Sequence, residues 1–136
     1  FAINLLARIG EPAIPIMKRK MRSNTQSVRF AAGDVLVKMI EYHPNALSNL
    51  TSAIDKQGTK TIADNYIFYI RLGQPGTEKI ILKALRYNFS LTMGLDLLNC
   101  GSSIIEEGAA KIGRENGYTV NSSVGSHPGP RWGSNN

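Results

Sequence analysis

The sequence predicts an all-α protein, a right-handed α-α superhelix of about three to four stacked helical hairpins. Three observations carry that expectation. Pro12, Pro44 and Pro75 recur at spacings of 32 and 31 residues, and each follows one apolar helix-like segment and opens another. A fixed period of this size marks repeated helical hairpins. Apolar residues also recur at helical spacing through residues 1–118, with no alternating strand pattern, and the glycines fall where such helices would end.

The elements follow in order. Phe1, Ile3, Leu5, Leu6 and Ile9 already form an apolar stripe at the first residue, which is the pattern expected of a fragment of a longer array. The first full unit opens at Gly10-Glu11-Pro12, since proline is tolerated where a helical N–H has no partner. Ile14, Met17 and Met21 mark its inner face, and Ser23-Asn24-Thr25 breaks it. A second helix spans 26–40 with Val28, Ala31, Ala32, Val35, Leu36 and Met39 inward; Ala31, Ala32 and Gly33 leave room for a close neighbour. The second unit opens at His43-Pro44, carries the stripe Leu47, Leu50, Ile54, stops at Gln57-Gly58, and continues as one helix over 60–72. The third opens at Gly73-Gln74-Pro75, breaks near Tyr87-Asn88, and restarts with Ser90 as N-cap. A last helix runs from Ser102 or Ser103 to Asn116, with Ser103 and Glu106 as a capping box and Gly117 as its stop. Residues 119–136 form a second region, rich in Gly, Ser, Asn and Pro and free of acids. Too little apolar surface is present there to offset ordering, so a disordered tail is expected; where it is pinned, Trp132 is the anchor, through a crystal contact or as a docking peptide.

Composition excludes several classes. The chain has 136 residues, enough for one domain, and its hydrophobic share of 42% is ordinary for a globular chain. No apolar run approaches the roughly 20 residues that span a bilayer. Cys100 is the single cysteine, so no internal disulfide is possible and a reducing, cytoplasmic setting is expected. It reads as a small buried hydrophobe rather than a reactive thiol. The net charge of +6 is uneven: residues 1–38 hold seven bases against two acids, and the remainder nine against eight.

The run Ala7-Arg8-Ile9-Gly10-Glu11-Pro12-Ala13-Ile14-Pro15-Ile16-Met17, followed by Val28-Arg29-Phe30-Ala31-Ala32, resembles the HEAT-like repeats of the phycobilisome lyase type. The likeness spans about residues 3–118 and is strongest over 7–40. It implies the superhelical fold and a concave surface lined by second helices. Lyase subunits, DNA glycosylases and scaffolds share such repeats, so the likeness leaves activity open. One departure stands out. The family pattern places an acid before the Val-Arg pair and builds an Asp–Arg ladder, whereas Asn24, Thr25, Gln26 and Ser27 stand here. Arg29 is thereby left to backbone carbonyls or to solvent.

The residues offer no catalytic set. His43 and His127 are the two histidines, and no zinc spacing or nucleophile–base constellation is visible. No cofactor or metal is expected, and Glu106-Glu107 fit the positive end of a helix better than an acid–base pair. Asp34, Asp64 and Asp96, spaced by 30 and 32 residues, each fall in the second helix of a unit. They are expected either as one acidic row or as independent contacts. A protein or peptide is the expected partner, held by exposed second-helix residues: Arg29, Asp34, Lys38, Asp64, Asn65, Phe68, Met93 and Asp96. Lys18, Arg19, Lys20 and Arg22 form a possible patch for an anionic partner. Nucleic acid ranks behind a protein ligand because few stacking aromatics lie nearby, a bilin-lyase-like subunit is the enzyme alternative, and self-association through uncapped ends is an expectation.

Overall fold

Helices form where the apolar spacing and the stop signals place them. The computed structural model describes residues 3–46, 56–121 and 129–134, and these hold α-helices and 3₁₀ turns without a strand. In chain order the helices are α1 (Ile3–Ile9), α2 (Ile14–Lys20), α3 (Gln26–Tyr42), α4 (Thr59–Asp64), α5 (Tyr66–Leu72), α6 (Glu78–Tyr87), α7 (Leu91–Leu98) and α8 (Ser103–Glu115). Phe1, the stripe Leu47, Leu50, Ile54, and His127 lie outside the described residues.

Each repeating proline starts a turn rather than a full helix. Pro12 sits in the 3₁₀ turn Glu11–Ala13 and Pro44 in the 3₁₀ turn Pro44–Ala46, while α6 begins three residues after Pro75. The first two turns are joined. Gly10 adopts φ 83°, and the His43 ring stands 2.9 Å from where its Cβ would be. From there His43 Nε2–H donates to the Arg8 carbonyl at 2.5 Å. His43 therefore staples the turn at Pro44 to the end of α1.

The core is centred on α3, which is buried on most sides through Ala32, Gly33, Val35, Leu36, Val37 and Met39. Helices α1, α2 and α5 pack on it; α4 packs on α6, and α8 receives both α6 and α7. Met17, Met21, Ile62, Ile70, Ile81, Leu85, Leu97 and Ile105 complete one continuous cluster. Each such large side chain contributes about 1.5–3 kcal/mol relative to exposure.

Two local expectations are corrected. The helix foreseen over 60–72 is two helices, divided at Asn65 (φ −127°, ψ 20°). Its amide Nδ2 donates to the Thr61 carbonyl at 2.8 Å and to the Met21 carbonyl at 2.9 Å. A short polar side chain that competes for backbone groups interrupts a helix, and here it also ties α4 to the end of α2. The last helix is capped by Ser102, not Ser103: its hydroxyl accepts from Ile105 N–H, and Glu106 closes back on Gly101 N–H at 2.8 Å. Ser90 caps α7 through Met93 N–H at 3.0 Å, as its position suggests.

The closest approach in the interior is α5 on α3. A Cβ added at Gly33 would lie 2.3 Å from the Phe68 ring, whose edge meets Phe30 at 5.4 Å between centroids. Overpacking a filled core costs about 1–3 kcal/mol. Gly33→Ala is accordingly expected to lower unfolding free energy by about 2 kcal/mol in urea titration. A second change, Phe68→Leu, should recover part of that loss; if Gly33→Ala alone is neutral, the contact is not as tight as described.

Candidate functional site

The second-helix residues expected to face a partner divide into two groups. Asn65, Phe68 and Met93 are corrected: they are 1%, 4% and 2% exposed. Asn65 faces inward because its amide is committed to two carbonyls, Phe68 because Gly33 admits its ring, and Met93 because it lies on the inner side of the first turn of α7. Arg29, Asp34, Lys38, Asp64 and Asp96 are half-buried.

The three aspartates have separate partners. Asp34 on α3 accepts from Arg71 Nη1 of α5 at 3.1 Å, and Arg71 stacks 5.7 Å from the Phe68 ring centroid. Asp96 on α7 accepts from Tyr66 O–H at the start of α5 at 2.5 Å. Asp64 pairs with Lys60 one turn earlier, at 3.3 Å. Two acids thus brace α5, one from α3 and one from α7, and the Asp–Arg pair is built from Asp34 rather than from the residues before Arg29. Arg29 donates from Nη1 to the Ser23 carbonyl at 2.9 Å, the backbone option of the two foreseen for it.

The four basic residues at and after α2 differ in exposure and partners. Arg19 and Arg22 are exposed, Lys18 and Lys20 half-buried. Arg22 turns away from the others, its Nε donating to the buried Gln57 side chain at 2.8 Å. Among the described residues no group of three or more His, Cys, Asp or Glu side chains could hold a metal ion. None of the helices there is long and apolar enough to cross a membrane.

The feature least legible in the sequence is a seat for a turn of the tail, residues 131–134, closed by Ser134 N–H donating to the Arg131 carbonyl at 3.1 Å. Trp132 N–H donates to the Cys100 carbonyl at 2.7 Å and Gly133 N–H to the Ile70 carbonyl at 2.9 Å. Arg131 Nη1 donates to the Asn99 carbonyl at 3.0 Å. These acceptors lie at the C-terminal ends of α5 and α7, where the last carbonyls of a helix lack intrahelical donors and a cation meets the negative dipole end. Two glycines open the seat. Gly73 caps α5 at φ 57°, and a Cβ there would come within 2.4 Å of the Gly133 backbone; one on Gly101, at φ 92°, would come within 3.0 Å of the Arg131 guanidinium. Trp132 packs against the main core. The Cys100 thiol beneath is buried, and burial pushes its pKa above the ordinary thiol value. The isolated Trp132 was the one signal in the sequence; the seat itself left none beyond glycines read as helix stops.

Comparison of the chain with protein-family models, with curated proteins and with solved structures finds no match in any of the three.

Burial, then the hydrogen bond and charge of Asp96, push the Tyr66 phenol well above its ordinary value of 10.0. A raised folded-state value means that the linkage term is fully present below the unfolded value and is lost as pH rises past it. Stability should therefore fall in the alkaline range above about pH 10. Asp96→Asn is expected to move the Tyr66 midpoint down in an ultraviolet tyrosinate titration and to cost about 1 kcal/mol near neutrality. An unchanged titration curve would show that the bond does not govern Tyr66.

Proposed function

We propose that this chain is a non-catalytic HEAT-like repeat scaffold, a right-handed α-α superhelix that binds a protein or peptide segment at the C-terminal ends of its second helices. The observation that carries the reading is the seat at the ends of α5 and α7, where residues 131–133 donate to three helix-terminal carbonyls. Such a seat has the chemistry of a peptide site. Backbone N–H groups supply affinity that does not depend on sequence, one apolar side chain anchors, and one cation reads the dipole. The glycines at 73 and 101 are what a close backbone approach demands. Cofactors have no part in this proposal. The proposed surface lies at the helix ends rather than across the face of Asp34, Asp64 and Asp96, because those acids are committed to partners inside the chain.

In this reading the chain's own tail occupies the seat in cis and competes with any segment offered in trans. A tethered ligand can compete at an effective concentration on the order of millimolar. Gly133→Pro removes the donor to Ile70 and forbids φ 73°, so it empties the seat without altering its walls. A fluorescent peptide of sequence Gly129–Ser134 should bind the Gly133→Pro chain roughly tenfold or more tightly than the unaltered chain, as read by anisotropy. Emission from Trp132, the single tryptophan, should shift to the red as the tail leaves. Equal binding by both chains, or none by either, rejects the peptide seat.

A further inference from the structure

The turn after α2, the first turn of α3 and the start of α4 converge on a polar cavity of about 390 Å³. Three cations reach it: Arg22 from the turn, Arg29 from α3 and Lys60 from α4. Ser23 and Thr61 add neutral hydroxyls, and Asp64, already paired with Lys60, is the one acid among the described residues of the wall. The lining thus carries a net charge of +2, gathered from elements distant in sequence.

Both guanidinium groups are held in place. Arg22 is fixed by Gln57 at 2.8 Å and Arg29 by the Ser23 carbonyl at 2.9 Å. Each guanidinium carries five N–H donors, so each keeps donors beyond these single bonds. The Nε of Arg29 is buried, and none of the described residues supplies it an acceptor. Its position is also electrostatically unfavourable. A cation in the first turn of a helix meets the positive dipole end; α3 has no acid in its first turn and no side-chain cap from Thr25. Local surroundings therefore favour an anion and supply no free one, since Asp64 lies with Lys60.

From this geometry we infer that the cavity is a binding site for a tetrahedral oxyanion, a phosphate monoester in particular. A carboxylate has two oxygens and is satisfied by one guanidinium fork. Two fixed guanidinium groups, an ammonium and two hydroxyls match a ligand with three or more acceptor oxygens and a double negative charge. Prior fixation of both arginines removes part of the ordering cost of binding. A duplex backbone is the poorer fit. It requires a track of cations, yet Arg19 and Lys20 border a neighbouring hollow that shares only Ser23 with this one and whose other walls, Ile16 and Val28, are apolar. The site is independent of the peptide seat, and neither proposal depends on the other.

The test is an ¹⁵N-resolved NMR titration of the full chain with inorganic phosphate, with sodium chloride at matched ionic strength as control. Parallel arms use O-phosphoserine and a short DNA duplex. Saturable shifts of the Arg29 Nε–H and of the Ser23 and Thr61 amides are expected with phosphate and phosphoserine but not with chloride. Stronger binding of phosphoserine would identify an esterified phosphate as the source, and equal binding free phosphate; either outcome supports the site. Arg29→Gln should weaken binding roughly tenfold or more, the scale of a lost charge-assisted hydrogen bond. Two changes outside the core test the same site should Arg29→Gln fail to fold. Lys60→Gln should weaken binding, and Asp64→Asn should strengthen it by removing the one repelling carboxylate. Shifts shared with chloride, unchanged affinity in all three variants, or tighter binding of the duplex than of phosphoserine would each overturn the proposal.

Discussion

The missing side chain at Gly33 is the constraint on which the arrangement of the middle of the chain depends. Phe68 enters the space it leaves, and that brings α5 against α3 close enough for Arg71 to reach Asp34 and to stack on the same ring. Held there, α5 presents Tyr66 to Asp96 of α7 at its start and the Ile70 carbonyl to the tail at its end. Four interactions therefore share one steric cause. The ion pair adds little by itself, because partly exposed pairs contribute about 0–1 kcal/mol; its effect is to fix orientation once packing has set the distance.

Helix ends, more than helix faces, carry the chemistry of this molecule. The C-termini of α5 and α7 offer carbonyls that the tail satisfies, and the start of α3 lacks both a cap and an acid where Arg29 stands. Unpaired terminal groups are a general property of helices. The peptide seat and the oxyanion cavity proposed above use the two opposite polarities that result.

Much of the helical pattern was legible in the residues themselves. Ile14, Met17 and Met21, and then Ala32, Val35, Leu36 and Met39, are spaced to one face and are buried as that spacing requires. Ser90 and Gly117 act at helix ends as their types suggest. Other features were not legible. Asn65 reads as an exposed polar residue of a second helix, yet the Met21 carbonyl, 44 positions earlier, draws its amide inward. Phe68 reads as a contact residue, and only the facing glycine determines that it is core. The regular spacing of Asp34, Asp64 and Asp96 suggested a shared row, but spacing along the chain fixes which helix a residue occupies, not which neighbour is within reach.

The sequence by itself determined that the chain is helical and where most of the described helices stop, because these follow from local periodicity and backbone preference within a few residues. Tertiary structure alone decided which charges meet, where Asn65 and Phe68 point, and that the tail lies across α5 and α7. Those outcomes rest on distances between segments that the chain brings together only after packing, and a single absent Cβ or one competing carbonyl is enough to change them.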